Sequence, residues 1–268
     1  MAVSRYGVAG YPVAHSLSPR MHEAAYRELG IDAVYQRLPI PAELFEETVR
    51  ALPGSGFRGI NVTVPHKLAA CAIADRRSAA VATIGAANTL SFADGEIHAE
   101  NTDAVGLIAA LASPVAGQRA LVLGAGGTAR AAVWALLDAG ASVDVFNRTP
   151  ERAKALVQEL GGAVVSTTGA GEGYQLILNT TTVGMDSGTD SKTALRALDL
   201  DLEAIDPGAT IVDFVYREDQ SPLAAAAAEA GLKVIDGREL LVQQGAKSFE
   251  LWFNRPAPIS TMRAATTP

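Results

Sequence analysis

"ALVLGAGGTARAAVWALLDAG", residues 120–140, is the stretch whose reading decides the fold. Ala120–Leu123 is an apolar strand that runs directly into Gly124, Gly126 and Gly127, and an alanine-rich helix follows. The pattern is G-x-G-x-x-A. Its first glycine permits a tight turn, its second lets backbone approach a pyrophosphate, and Ala129 allows close helix–strand packing. The helix N-terminus, with Thr128 in its first turn, offers unpaired N–H groups and a partial positive charge to phosphates. A glycine pattern alone is weak evidence. Here a strand precedes it, a helix follows it and a second strand, Val143–Phe146, completes a dinucleotide-binding βαβ unit.

Further strands are predicted downstream at Ala163–Val165, Leu176–Leu178, Thr210–Phe214 and Lys233–Ile235. With the first two they make six, the count of a complete doubly wound Rossmann domain. Upstream, "SPVAGQ" (113–118) reads as a linker. Before it come strands Tyr6–Gly10, Ala33–Leu38 and Gly59–Val64, then a hairpin in "NTLSFADGEIHAEN" turning through Asp94-Gly95. Ser18 reads as an N-cap with Pro19 at the first helical position and Gly30 as the stop, and Thr149-Pro150 and Ser221-Pro222 repeat the device. The expected architecture is α/β in two domains with a cleft between them. An α/β domain over 1–103 precedes a Rossmann domain over 104–237, and a last helix in 238–268 returns to the first domain. The tail after Arg255, "PAPISTMRAATTP", reads as partly disordered.

Composition fits this reading. The 268 residues are 49% hydrophobic and 19% charged, a well-cored globular balance. A net charge of −7 with no basic cluster argues against a nucleic-acid surface. Neither a signal peptide nor an apolar run of bilayer length is readable, so a cytoplasmic location is expected. The single cysteine, Cys71, excludes an intramolecular disulfide and reads as a small buried hydrophobe. His15, His22, His66 and His98 form no metal-ligand spacing, so no metal is expected. The oligomeric state, monomer or homodimer, is not legible.

The second strand of the βαβ unit ends in Asn147-Arg148-Thr149, where an NAD site usually carries an acid for the ribose 2′-OH. Arg148 can pair with a 2′-phosphate, and Asn147 and Thr149 can donate to it. The plain alternative is a solvated Arg148 and a Thr149 that only caps a helix. Asp144 argues for NAD, but it is mid-strand and alternation aims it away from the tip. NADP is the expected cofactor.

A bound nicotinamide predicts hydride transfer, and a hydride leaving an alcohol carbon requires loss of the hydroxyl proton. Two residues of the first domain are candidates. Lys67 closes "NVTVPHK" (61–67), where an alternating apolar strand runs into Pro65, and Asp103 ends "NTD" (101–103) after the hairpin. Taken singly, Lys67 reads as a surface lysine and Asp103 as the cap of a helix starting at Ala104. His66 is next to Lys67, but adjacent strand-like residues point opposite ways, which puts it outside the site.

The chain as a whole resembles the shikimate dehydrogenase family. The resemblance is carried by "SLSP" (16–19), "NVTVPHK", "GAANT" (85–89), "NTD", "GAGGTARA" (124–131), "NRT" (147–149), "NTTTVGM" (179–185), "VYREDQSPL" (215–223) and "LLVQQGAKSFELW" (240–252), in that order. It implies NADP-linked interconversion of 3-dehydroshikimate and shikimate, a step of aromatic amino-acid biosynthesis. It also implies Lys67 as general acid/base with Asp103 as its hydrogen-bonded partner. Ser16 and Ser18 would bind the substrate carboxylate. Thr63, Asn88, Asp103 and Gln244 would contact ring hydroxyls, and Tyr216 would lie near substrate and nicotinamide. Asn179, Thr181 and Gly237 are implied on the cofactor side. A small polyhydroxylated acid needs many neutral donors and acceptors, each unpaired group costing affinity for the wrong ligand. Ser18 has a rival role as N-cap, and Gln244 as an ordinary polar helix position.

Two stretches depart from the family pattern. Arg217-Glu218-Asp219 stands where a proline commonly follows the tyrosine, and Arg238-Glu239 stands where an apolar residue and a glycine are usual. They leave open a relative acting on quinate or an amino analogue of shikimate with NAD, and a non-catalytic dinucleotide-binding sensor.

Overall fold

The chain opens on a parallel pair of strands, and its first and last helices pack on each other. A computed structural model describes residues 3–217 and 219–267, so Glu218 of the first departure lies outside the described residues. In order come β1 (Ser4–Gly10), α1 (Ser18–Leu29), β2 (Ala33–Pro39), α2 (Phe45–Ala51), β3 (Phe57–Val62) and α3 (Lys67–Ile73). Then follow β4 (Arg76–Arg77), α4 (Ala79–Ile84), β5 (Thr89–Ala93), β6 (Glu96–Glu100) and α5 (Thr102–Leu111). The second half holds β7 (Arg119–Leu123), α6 (Gly127–Asp138), β8 (Ser142–Phe146), α7 (Pro150–Leu160), β9 (Ala163–Val164) and β10 (Leu176–Asn179). It closes with α8 (Ser191–Leu198), β11 (Thr210–Asp213), α9 (Pro222–Glu229), β12 (Lys233–Ile235), α10 (Gly237–Phe253) and α11 (Ile259–Thr266). Two units result: residues up to Gly106 together with Leu241–Thr267, and Leu107–Leu240. The chain passes between them inside α5 and α10, a few residues beyond the expected boundaries at 103 and 237.

The first unit is built on a mixed sheet of order β2-β1-β3-β5-β6-β4, with β3 and β5 antiparallel and the β5–β6 hairpin turning at Asp94-Gly95. Its core gathers Phe45, Val49, Ile60, Ala70, Cys71 and Leu90. β3 ends two residues earlier than alternation predicts. Val64 leaves the sheet, is 40% exposed and precedes a cis Pro65.

Aromatic rings fasten the returning helix. Trp252 of α10 lies over Gly59 and donates from Nε1 to the Leu90 carbonyl at 3.3 Å. A Cβ at Gly59 would come 2.4 Å from that nitrogen and 2.7 Å from the same carbonyl. Gly59→Ala is therefore expected to destabilise the protein by about 1–3 kcal/mol through overpacking, read as a lowered denaturant midpoint. Through Thr267 the tail folds as a packed helix, contrary to expectation. α11 buries Met262 completely, and the Thr267 carbonyl accepts from Arg20 Nη2 at 2.9 Å. The sequence hid this because a helix this short is stabilised by the surface it covers, here α1.

His22 of α1 is fully buried and stacks flat on Tyr35, with centroids 4.4 Å apart. Neither ring nitrogen finds a partner among the described residues, and burial pushes its pKa down to about 3. The native state thus holds it neutral while the unfolded chain binds a proton below its ordinary value of 6.5. Its contribution is full above that value and is lost as pH falls from there toward 3, by up to about 1.4 kcal/mol per pH unit. His22→Leu should flatten the stability–pH curve over that window, as measured by urea unfolding at a series of pH values.

The second unit is an all-parallel sheet of order β12-β11-β10-β7-β8-β9, the doubly wound arrangement with its strand order reversing beside β7. Helices cover it over a core that includes Val122, Ala129, Val133, Leu136, Val145 and Leu178. β9 and β11 are each one residue shorter than predicted, and β10 extends to Asn179.

Candidate active site

In the first unit, Lys67 opens α3 and Asp103 sits in the first turn of α5. Asn101 holds the cap of α5: its Oδ1 accepts from the Ala104 amide at 3.1 Å and its Nδ2 donates to the Ala86 carbonyl at 2.9 Å. Asp103 is therefore not the cap, and its carboxylate is available elsewhere. Lys67 Nζ donates to Asp103 Oδ2 at 2.7 Å, with the two side chains 12% and 9% exposed. The Ala87 amide donates to the Lys67 carbonyl at 2.9 Å, which sets the lysine beside Asn88.

Asn88 is the hub of this cluster. Its Nδ2 lies 2.9 Å from Asp103 Oδ1, 2.9 Å from Thr102 Oγ1 and 3.2 Å from Gln244 Oε1. Its Oδ1 accepts from the Thr102 amide at 2.6 Å. Beneath it lies a buried network that the sequence reading missed. Asn61 donates to Thr89 Oγ1 at 3.0 Å and to Ser248 Oγ at 2.7 Å, and accepts from the Tyr35 hydroxyl at 2.7 Å. Thr89 and Thr102 complete it. Two signals pointed there: Asn61 is a polar residue inside an apolar strand, and Ser248 stands four residues after Gln244, on the same helix face. Asn61→Leu removes one hub and strands several buried hydroxyls. A loss of about 2–4 kcal/mol is expected in chemical unfolding.

Ser16 and Ser18 are both buried. Ser18 does not cap α1, contrary to expectation. It is the first helical residue, Leu17 precedes it as the cap position, and Ser16 Oγ accepts from the Ser18 amide at 3.3 Å. The competition for the Ser18 hydroxyl disappears. Arg37, unremarked in the sequence, fixes the Ser16 carbonyl with Nε at 3.1 Å and Nη2 at 2.7 Å. Thr63 is half-buried just beyond β3. His66 turns away, with Nε2 2.7 Å from the Ile40 carbonyl and its ring stacked on Phe45.

In the second unit the carboxyl ends of the strands carry the remaining candidates. Gly124 has φ +117°, and a Cβ there would come 2.7 Å from Thr180 Oγ1, so only glycine makes this turn. Gly126 caps α6, and nothing lies within 4 Å of the Cβ it lacks, leaving open space against its backbone. Gly127, Thr128 and Ala129 form the first turn of the helix, with Ala129 fully buried. At the end of β8, Asn147 Nδ2 donates to the Thr149 carbonyl at 2.8 Å, and Arg148 and Thr149 are exposed. Thr149 occupies the cap position of α7 but its side chain makes no capping bond, so the predicted cap is positional only. Asp144 is turned away and engaged, accepting from the Tyr174 hydroxyl at 2.8 Å and pairing with Arg119 at 3.3 Å. The open backbone at Gly126 and the Arg148 guanidinium, paired with no carboxylate among the described residues, fit a dinucleotide bearing a 2′-phosphate.

Asn179 is held within the second unit by its own hydrogen bonds. It is fully buried, donates to Asp213 Oδ1 at 2.9 Å and to the Val183 carbonyl at 3.3 Å, and accepts from both the amide and the hydroxyl of Thr181. Thr181 Oγ1 in turn accepts from the Val183 amide at 3.1 Å. Both side chains thus shape the loop after β10. Burial pushes the Asp213 carboxyl up to about 6, against the opposing hydrogen bonds from Ser221, Val215 and Asn179. Ser221 also caps α9 as predicted. Gly237 packs so closely on the segment after β11 that a Cβ would come 2.5 Å from the Val215 carbonyl. Tyr216 is half-buried in that segment. Among the described residues, no three His, Cys, Asp or Glu side chains gather as a metal site, and no helix is long and apolar enough to cross a membrane.

Known proteins similar to this chain match it along most of its length. Residues 8–90 match the shikimate dehydrogenase substrate binding domain, 107–183 the shikimate / quinate 5-dehydrogenase model, and 237–266 the shikimate 5′-dehydrogenase C-terminal domain. The chain is 43% identical to the shikimate dehydrogenase (NADP(+)) of Acidiphilium cryptum over 254 residues, 92% of this chain and 89% of that protein. Shikimate dehydrogenase from Aquifex aeolicus superposes with a TM-score of 0.91 at 34% identity, covering 99% of this chain and 98% of that one. The Thermus thermophilus shikimate 5-dehydrogenase, solved in complex with NADP(H) and shikimate, gives 0.87 at 38% identity and covers 98% of each chain.

Proposed function

Since the chain belongs to the shikimate dehydrogenase family, we propose that it interconverts shikimate and 3-dehydroshikimate with NADP(H), Lys67 serving as the proton-transfer residue. The observation that carries the reading is the secluded Lys67–Asp103 pair, joined through Asn88 to Gln244.

The ligand carboxylate is received by the hydroxyls of Ser16 and Ser18, with Arg37 fixing the Ser16 backbone carbonyl. Thr63, Asn88, Asp103 and Gln244 orient the ring hydroxyls. In the oxidative direction the Lys67 amine takes the hydroxyl proton while the carbinol hydrogen leaves as hydride. In reverse, the ammonium returns the proton to the developing alkoxide. Asp103 fixes the lysine head group, and Asn88 fixes Asp103 through its other oxygen, so neither carboxylate oxygen is idle. NADP supplies the hydride acceptor or donor when bound; Gly124, Gly126, Gly127 and Thr128 would hold its phosphates, with Asn147, Arg148 and Thr149 at the 2′-phosphate. Tyr216 is assigned to the substrate and nicotinamide side. A cytoplasmic setting accords with a lone, buried Cys71.

The test is Asp103→Asn. This variant keeps the shape of the site but loses the charge beside Lys67. A fall in kcat of roughly 10²-fold is expected with the KM for NADP+ unchanged. An unaltered kcat would remove Asp103 from the mechanism.

A further inference from the structure

The two stretches that depart from the family pattern meet at one place in the second unit. Arg238, in the first turn of α10, donates from Nη2 to the Arg217 carbonyl at 2.8 Å. Arg217 in turn donates from Nη1 to the Asp186 carbonyl at 3.2 Å, and its fork grips Asp219 at 2.9 and 3.1 Å. Asp236 Oδ1 accepts from the Arg238 and Glu239 amides at 3.1 and 3.0 Å, fixing the start of the helix that carries Arg238. The segment between β11 and α9 is thereby tied on both sides, to the loop after β10 and to the helix after β12. The gap left among Val215, Tyr216, Arg217, Ser221, Gly237 and Arg238 is about 10 Å³, room for one water at most.

These ties fall on one half of the sheet. The glycine turn and Arg148 belong to β7 and β8, the half that takes one mononucleotide, whereas β10, β11 and β12 form the half that takes the other. We propose that Arg238 and Arg217 form a brace that positions the nicotinamide half of the dinucleotide, with Arg238 as its key positioning residue. The inference rests on the NADP reading of this unit. Where a proline would stiffen the segment after Tyr216, this chain uses two guanidinium groups and backbone carbonyls instead. A proline acts by restricting the loose chain, a hydrogen bond by favouring one closed geometry, and either limits the positions Tyr216 can occupy.

The experiment compares NADPH with adenosine 2′,5′-bisphosphate, which reaches only the adenine half, by calorimetric titration of the full-length protein. Arg238→Leu should weaken NADPH binding roughly 10-fold, leave the bisphosphate unchanged and lower kcat without raising the KM for shikimate. Arg238→Lys, which keeps one charged donor, should restore most of the loss, and Arg217→Ala should reproduce it. Equal weakening of both ligands would show a general structural role and overturn the proposal, as would unchanged NADPH affinity in Arg238→Leu. Should Arg238→Leu fail to fold, Arg217→Ala carries the same comparison, and unchanged NADPH affinity or equal weakening of both ligands in it would overturn the proposal. Wild-type protein that binds both ligands but leaves shikimate unreacted would overturn the catalytic reading alone, with the brace still decided by the titrations. Wild-type protein that binds neither would overturn both.

Discussion

Lys67→Ala lowers kcat for shikimate oxidation by roughly 10²–10⁴-fold, the range that a positioned acid/base contributes, while NADPH binding stays as in the wild type. The expectation follows from where the lysine is placed. Nζ is held at 2.7 Å by one oxygen of a carboxylate whose other oxygen is itself held at 2.9 Å by Asn88. The Lys67 side chain is 12% exposed, too secluded for bulk water to replace its amine. Removing the amine leaves Asp103 as a nearly buried carboxylate without its cation, so some loss of stability accompanies the loss of rate. Lys67→Met separates the two effects, since it preserves much of the apolar stem. Both variants should lose kcat alike if proton transfer is what the lysine supplies. Steady-state kinetics with a parallel NADPH titration reads the difference. A kcat within threefold of wild type in both would remove Lys67 from the mechanism.

Arg148→Ala should cost the enzyme roughly 10–100-fold in kcat/KM for NADP+ and almost nothing for NAD+. A charge-assisted contact to a phosphate is worth about 1.5–3 kcal/mol, and only the phosphorylated cofactor makes it. The residue is exposed at the tip of β8 and Asp144 is occupied by Tyr174 and Arg119, so among the described residues no carboxylate is poised there to favour NAD. Arg148→Asp should go further and reverse the preference, because a carboxylate repels the 2′-phosphate and can accept from a free 2′-hydroxyl. The ratio of kcat/KM for the two cofactors is the quantity to compare. An unchanged ratio in Arg148→Asp would mean that the 2′-phosphate is read elsewhere.

The dinucleotide half of the fold was legible because its signals are local. A strand, three glycines and a helix follow one another in twenty-one residues, and the sheet order built on them is the one expected. The first unit was legible mainly through its motifs. Its sheet mixes parallel and antiparallel pairs, and "NVTVPHK" reads as one strand through Val64 when the chain in fact leaves the sheet after Val62. The site was readable as residue types, whereas their division of labour was not. Ser18 as cap and Asp103 as cap are choices among hydrogen-bond partners, and partners become known only in three dimensions. The same limit hid Asn61, Thr89, Thr102 and Ser248, whose buried bonds join strands and helices as many as 187 residues apart. α11 was missed for a related reason, because a short helix is stabilised by the surface it covers.

The central claim is tested most directly by following nicotinamide absorbance of the purified protein with shikimate or quinate, each with NADP+ or NAD+. The account predicts that shikimate with NADP+ is the best pair by at least an order of magnitude in kcat/KM, and that the signal disappears in Lys67→Ala protein that still binds NADPH. Quinate with NAD+ as the better pair would contradict the assigned substrate and cofactor. No absorbance change with any pair, from protein that binds NADPH and shikimate, would contradict the enzymatic account itself.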